Sequence, residues 1–347
     1  MNDKKEGMKN GYELPKKVGI IYSDVKREYF PTESQYITEK DAERDAKRIS
    51  SYLEKLGIKS FLYPGNASLT GKLKKEKPDI VLNLVDSLKG TENLSAAFPG
   101  VLEVLDIPYT GADILGMSIG SSKFLVKKLF QQNGIPVPNH QLVSTPSDYL
   151  IPTLRYPLIS KLDEIHGAVE ITDDAVSESE KHLRERLKFL IGTYKQPVII
   201  EEFIVGRELT AMLLEGLNKK VYLAEKVFTK PPLKYIFATF EDQWIDEDYS
   251  SFHYEKYDDP ILKEYVKKAF DVAKMYDYGK FDVRVDSSGR YFFIDSNCNP
   301  AFGPKEAGVA ISVILDMYGV RFEEILKRLM INTVRDAQGK EKLPIPS

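Results

Sequence analysis

Lys280-Phe281-Asp282-Val283-Arg284-Val285-Asp286, Ser287-Ser288-Gly289-Arg290 and Tyr291-Phe292-Phe293-Ile294-Asp295-Ser296-Asn297 run on without a break. Both flanks alternate with period two and the middle is turn chemistry, which predicts a β-hairpin. With Ser287 to Arg290 as the loop, Asp286 pairs with Tyr291, and counting back pairs Arg284 with Phe293, Asp282 with Asp295 and Lys280 with Asn297. All these side chains then share one face. Two carboxylates directly opposite, with Cβ atoms ~5 Å apart, repel each other unless positive charge lies between them. A divalent cation answers that need. Two aspartates and an asparagine offer oxygen ligands that suit Mg²⁺, or Mn²⁺ in its place, and Mg²⁺ usually completes its shell with water and substrate phosphates. Lys280 would stand beside the metal, able to stabilise an oxyanion. The competing reading is a surface hairpin whose polar side chains face water.

The rest of the chain bounds what such a site can serve. Its 347 residues carry 49 Lys plus Arg against 52 Asp plus Glu, a formal charge of −3, so the basic excess of a nucleic-acid-binding protein is missing. At about 150 residues per domain the length predicts roughly two to three domains, and 42% apolar residues suffice for their cores. No stretch approaches the ~18 apolar residues of a membrane span, and the opening MNDKKEGMKNGYELPKK is too polar for a signal peptide. A soluble, cytoplasmic protein is expected. A lone Cys298 excludes an intrachain disulfide, and His140, His166, His182 and His253 lack zinc-ligand spacing.

After a frayed start, Val18 to Tyr22 reads as a buried strand, followed by a helix with Ala42, Ala46, Ile49, Leu53 and Leu56 at helical spacing. Gly57 suits the left-handed end of that helix. Strands at Ser60–Tyr63 and Asp79–Leu84 and a helix around Ala96–Leu105 complete a parallel α/β unit. A helix from Ser121 to Gln132 comes next. A strand at Tyr156–Leu162, a helix around Glu178–Ile191 and a strand at Val198–Ile200, ending at Glu201-Glu202, make a small second unit. Strands at Glu208–Leu214 and Val221–Phe228 follow, and Asp259-Pro260 is an N-cap with proline at the first helical position. The lysines of Lys72 to Lys77 read as a solvated helix face.

Neither familiar glycine loop for phosphate is present. Gly65 to Lys72 has one residue too many between its glycines and Leu73 after the lysine, and no G-x-G-x-x-G follows the first strand. Lysines can serve phosphate as point charges instead. Lys161, inside the apolar Tyr-Pro-Leu-Ile-Ser-Lys-Leu run, is costly to bury unless paired.

The chain resembles the ATP-grasp superfamily and, within it, the D-alanyl-D-alanine ligase family. The likeness runs from about Asp79 to Leu329. It rests on Leu105-Asp-Ile-Pro-Tyr-Thr-Gly-Ala-Asp113 leading to Ser122-Lys123, on Ile200-Glu-Glu-Phe-Ile-Val-Gly-Arg-Glu208, and on Lys280-Phe281-Asp282 followed by Asp295-Ser-Asn-Cys-Asn-Pro300. It implies a mixed α/β ATP-grasp fold with an N-terminal parallel α/β domain (16–122), a central lobe (123–204) and a C-terminal antiparallel-sheet lobe (205–335), with ATP clamped between the last two. The implied reaction joins a carboxylic acid, such as an amino acid, to an amine through an acyl phosphate. Carried over, Lys123, Lys161 and His166 contact ATP phosphates, and Glu201, the Glu202 carbonyl and the Ile204 N–H read adenine. Glu208 holds the ribose, and Asp282, Asp295 and Asn297 bind one or two Mg²⁺. Lys280 stands where the family has a catalytic arginine, a point charge in place of a forked donor. A homodimer is implied by analogy.

The departures cluster in substrate contacts. The family's phosphate lid, K-P-x-x-E-G-S-S-x-G-I, reads Lys161-Leu-Asp-Glu-Ile-His-Gly-Ala-Val-Glu-Ile171, with Ile165, Ala168 and Glu170 as replacements. The first-strand Gly-Gly-x-Ser-x-Glu segment is Tyr22-Ser-Asp-Val-Lys-Arg-Glu28, and the His-Gly pair is Lys89-Gly90. Gln243 stands where a phosphate-contacting lysine is expected, and Lys305-Glu306-Ala307 replaces a Ser-Leu pair. Lys89, Trp244, Arg284 and Lys305 are therefore candidates for substrate contact, Arg284 also for a structural ion pair. The expectation is a ligase whose substrates are not two D-alanines. A true D-alanyl-D-alanine ligase, a nucleotide-binding regulatory protein without catalysis, and a dinucleotide oxidoreductase are the alternatives, the last weakened by the missing glycine fingerprint.

Overall fold

β1 (Lys17–Tyr22) lies between β2 (Lys59–Pro64) and β3 (Ile80–Leu84), both parallel to it. In the computed structural model, which describes residues 13–229, 234–246 and 251–346, every residue of β1 after Lys17 is buried. A strand covered on both faces needs such an unbroken apolar run. The frayed start falls largely on residues 1–12, outside the described residues. α1 (Glu33–Glu39) begins at Thr32, whose hydroxyl accepts from the Gln35 N–H at 3.2 Å. α2 (Ala42–Lys55) buries Ala46, Ile49 and Leu53, and Gly57 follows at φ +75°. α3 (Leu69–Glu76) buries Leu69 and Leu73 and exposes Lys74 and Lys75, as the charge cluster predicts. α4 (Ala97–Val104), α5 (Ile114–Gly120) and α6 (Lys123–Gln132) lead to the second sheet.

That sheet is antiparallel, in the order β4 (His140–Val143), β7 (Val198–Glu202), β5 (Leu158–Leu162), β6 (Val176–Ser177). α7 (Glu180–Tyr194) buries Leu183, Leu187 and Leu190 against it. The acidic pair does not end β7: both glutamates belong to the strand, and Glu201 is fully buried. Two lysines described below neutralise its carboxylate, which is why an acid can stand where a sequence pattern reads a strand end.

The third sheet is also antiparallel and runs β10 (Phe252–Tyr257), β9 (Lys220–Phe228), β8 (Gly206–Leu214), β11 (Tyr278–Asp286), β12 (Tyr291–Asn297). α8 (Phe240–Trp244) precedes β10. α9 (Pro260–Val272) opens at Asp259, whose carboxylate accepts from the N–H groups of Ile261 at 2.9 Å and Leu262 at 3.0 Å. α10 (Ala310–Met317) and α11 (Phe322–Ala337) follow, and their apolar faces join one core cluster with β1 and α2. Among the described residues no helix is long and apolar enough to cross a membrane.

The hairpin departs from simple counting at one place. Lys280 pairs with Asn297 and Asp282 with Asp295, as counted, but Val283 then pairs with Phe293, Arg284 with Phe292 and Val285 with Tyr291. Ile294 is the extra residue of a β-bulge, and the connection spans five residues rather than four, Asp286 donating its N–H to the Arg290 carbonyl. Turn composition fixes a hairpin's existence; it does not reveal where a ladder skips.

Candidate active site

A cavity of about 930 Å³ is lined by the second and third sheets, by residues 37–45 around α1 and α2, and by Val85 and Asp86 just after β3. On the third sheet, antiparallel pairing sets Lys226, Glu208 and Arg284 side by side, with Thr210, Asp282 and Asp295 in the next row and Lys280 and Asn297 beyond. These side chains share one face because paired residues of a sheet do. The Lys226 ammonium sits 2.8 Å from Glu208 Oε1 and 3.6 Å from Asp282 Oδ1, and Arg284 lies 3.4 Å from Glu208 Oε2. Thr210 Oγ1 donates to Asp282 Oδ1 at 2.8 Å, and Lys280 holds the other oxygen, Oδ2. Both oxygens of Asp282 are thus engaged. Burial opposes its charge, yet Lys226 and Lys280 hold its carboxyl below the usual range. Lys226 is itself buried, but Asp282 and Glu208 outweigh burial and keep its ammonium charged.

Asp295 differs. Its Oδ1 is buried and has no hydrogen-bond partner. Burial disfavours the charge, but Lys123, His166, Lys280 and Lys161 surround it and hold the carboxyl well down. A carboxylate oxygen left open among three lysines suits a cation and an anion arriving together.

The second sheet supplies the opposing wall. Lys161 on β5 and Glu201 on β7 are diagonal neighbours on one face, 3.0 Å apart. Lys127, one turn after Lys123 on α6, lies 3.3 Å from the other Glu201 oxygen. Burial pushes the Glu201 carboxyl up, but the two lysines win and it stays below the usual range; burial in turn lowers Lys127 to about 8. Both ammoniums also donate to the Ile294 carbonyl, Lys127 at 2.9 Å and Lys161 at 3.1 Å, and Lys127 reaches Phe293 O at 3.1 Å. The bulge therefore presents carbonyls of one sheet to lysines anchored in the other.

The segment Lys161 to Ile171 is tied down at several points. Asp163 accepts from Ser122 Oγ and the Phe124 N–H, both at 2.8 Å, fixing it to the start of α6. Lys123 Nζ donates to Ile165 O at 2.6 Å. The His166 N–H meets both oxygens of Glu92, at 2.9 and 3.1 Å, and Nδ1 lies 2.6 Å from Glu92 Oε2. Trp244 Nε1 donates to Gly167 O at 2.8 Å, and Gly167, at φ +70°, has room for no Cβ against Thr38.

The remaining predicted positions divide. The Ile204 N–H has no partner among the described residues, while Ile204 O accepts from Arg284 at 3.0 Å. The Glu202 carboxylate turns away to Asn139 Nδ2 at 3.1 Å and the Arg155 N–H at 3.0 Å. Arg284, stacked on Phe203 at 4.8 Å, is absorbed in structural contacts. Lys305 lies at the cavity edge in an exposed ion pair with Asp316 at 2.5 Å. Lys89 is exposed and lines no part of the cavity. Cys298 is packed beside Met117, its thiol pushed up to about 12 by burial.

The structure adds residues the sequence did not single out. Lys127 carried a signal, its i,i+4 spacing from Lys123. Lys226 carried a weaker one, a lysine inside a strand. Glu39 and Asp86 carried none. Burial first, then the charge of Glu92, push the Glu39 carboxyl up to about 7, against a hydrogen bond from Ser87 Oγ at 2.7 Å. Asp86 is reachable by water but ringed by protein; burial, then Glu39, hold its carboxyl well above the ordinary range.

A family profile described as "D-ala D-ala ligase C-terminus" matches residues 129–331, more than half of the chain. The chain belongs to the D-alanyl-D-alanine ligase family. Among relatives of this ligase-family chain, a D-alanine–D-alanine ligase of Aquifex aeolicus is 26% identical over 74% of this chain and 84% of its own. An uncharacterised protein of Sinorhizobium fredii, y4sG, is 24% identical over 77% and 81%. The crystal structure of a Bacillus anthracis D-alanine–D-alanine ligase complexed with ATP superposes with a TM-score of 0.71 at 19% identity, covering 94% of this chain and 99% of that one. The fold is ATP-grasp, and the D-alanyl-D-alanine ligase-like chain is an ATP-dependent ligase acting on small molecules. The family uses ATP and Mg²⁺ in general. The residues present fit a magnesium ion: the open Asp295 oxygen and the Asn297 side chain face the cavity. No group of three acidic, histidine or cysteine side chains forms a ready cage among the described residues. Mg²⁺ usually binds in this way, through one or two carboxylates plus phosphate.

Proposed function

We propose that the chain phosphorylates a carboxylic acid with ATP and joins the acyl phosphate to an amine, using substrates other than two D-alanines. ATP would lie between the lobes 123–204 and 205–335. The open oxygen of Asp295 within its ring of cations carries this reading. Phosphoryl transfer to a carboxylate brings two anions together, so the protein must neutralise and align them.

Lys123 and Lys161 are already held facing the cavity and would take phosphate oxygens, with His166 beside them. The unpartnered Ile204 N–H, the Glu202 carbonyl and Glu201 would read adenine, and Glu208 the ribose. Asp282, Asp295 and Asn297 would hold Mg²⁺, which when bound neutralises phosphate charge. Lys280 would stabilise the oxyanion formed as the amine attacks. Glu39 and Asp86, acids on the far wall that make no ion pair among the described residues, would receive a substrate's ammonium group. Trp244 would cap the substrate pocket and Lys305 would stand at its edge.

The D-alanine–D-alanine ligases among its relatives favour a second reading, a true D-alanine–D-alanine ligase. ATP-dependent phosphate release with a panel of D- and L-amino acids and hydroxy acids separates the two. Turnover with D-alanine alone supports the second; release only with another acid and amine supports the first. Nucleotide binding without release across the panel defeats both. We also propose a homodimer. Val104 is 84% exposed, and Leu94, Ile114 and Leu115 on adjoining elements are exposed as well, an apolar face suited to self-association. Sedimentation at a series of concentrations tests it.

A further inference from the structure

We propose that this enzyme holds one divalent cation, on Asp295 and Asn297, and that Lys226 supplies at Asp282 the positive charge a second cation would otherwise bring. The inference rests on the ligase reading and narrows its metal site.

The two facing aspartates are not equivalent. Asp282 Oδ1 takes the Thr210 hydroxyl at 2.8 Å with the Lys226 ammonium at 3.6 Å, and Lys280 occupies Oδ2. Asp295 Oδ1, directly across the ladder, has no partner at all. A cation approaching Asp282 finds both oxygens taken, whereas Asp295, though lysines stand around it as well, keeps one oxygen open, and the neighbouring Asn297 side chain makes no hydrogen bond among the described residues.

Lys226 is not needed where it stands merely to balance Glu208. Arg284 already lies 3.4 Å from Glu208 Oε2. Counting Asp295, the three cations Lys226, Lys280 and Arg284 balance the three anions Glu208, Asp282 and Asp295 on this part of the sheet. Lys226, Lys280 and Asp282 all line the cavity, so the charge at Asp282 is met before any metal arrives. β9 is a rigid inner strand, paired on both sides, so the ammonium is held in place. A fixed lysine beside an acid that would otherwise call for metal does the neutralising work of an ion without needing to be bound.

The test is a count of bound metal. Mn²⁺ is titrated into the full chain with a non-hydrolysable ATP analogue, and free Mn²⁺ is read by electron paramagnetic resonance. One tightly held Mn²⁺ per nucleotide-loaded chain is expected. Lys226→Met is expected to hold a second and to need at least ~10-fold more Mg²⁺ for half-maximal rate, since one unit of charge must be replaced from solution. Two Mn²⁺ in the wild type, or one in Lys226→Met with an unchanged Mg²⁺ requirement, overturns the proposal while leaving the ligase reading intact. Failure of the wild type to bind the analogue overturns that reading, and this one with it. If Lys226→Met does not fold, Lys226→Arg, which keeps the charge, must still hold one Mn²⁺; two would overturn the proposal.

Discussion

His166 and Glu92 lie 74 residues apart in sequence and are joined by three contacts, two from the His166 N–H and one from its ring. The joint fastens the segment over the cavity to the domain that carries β1. The segment is poor in glycine, and its anchorage is made by side chains instead.

Glu92→Ala should release it. Hydrogen bonds to charged groups contribute about 1.5–3 kcal/mol each, so roughly a 10- to 100-fold loss of the closed state is expected. Limited proteolysis should cut near Gly167 in the variant and spare the wild type under nucleotide. Equal protection in both would show that the joint does not govern closure.

Asp295→Asn should lower turnover by at least ~100-fold, the scale of losing one electrostatic stabiliser, in a chain that still folds. Lysines around the carboxylate favour its charge, so some stability goes with it, and turnover is compared below the variant's own thermal midpoint. Normal turnover in this variant would refute the metal assignment.

Glu39 gives a pH dependence of known sign. Its folded-state carboxyl lies at about 7, above the model-compound value of 4.5, owing first to burial and then to Glu92. The folded chain therefore holds the proton more tightly, and stability falls as pH rises from about 4.5 to 7. The loss is roughly 3 kcal/mol at most. Glu39→Gln should thus be more stable than the wild type at about pH 8, with the gap closing near pH 4.5. Urea midpoints of both proteins at the two pH values decide the matter; a gap that widens toward acid contradicts it.

Lys127 and Lys161 both neutralise Glu201, but only Lys161 lines the cavity. Lys127→Met should cost stability, about 3–5 kcal/mol as for a broken buried pair. Lys161→Met should raise the nucleotide dissociation constant more than its stability loss explains. Denaturant unfolding and calorimetric nucleotide titration on both variants should show opposite rankings.

The facing of Asp282 and Asp295 was legible because strand periodicity fixes which side chains share a face, whatever lies at the turn. The bulge at Ile294 was not, since nothing in Phe-Phe-Ile-Asp announces an extra residue. Glu201-Glu202 was read as a strand end because a local pattern cannot see Lys127 and Lys161 arriving from elsewhere. Lys226 was hidden for a similar reason: its partners lie on β8 and β11. Lys89 aligned with a family contact but stands outside the cavity, and Arg284, placed on the right face, spends its donors on Ile204, Ile236 and Glu208.

Two lysines rooted in separate elements, one on α6 and one on β5, grip the single carbonyl of Ile294. Both lysines also hold Glu201, so the second sheet and the bulge of the third are riveted at one backbone atom, and drawing those two sheets apart there costs both bonds.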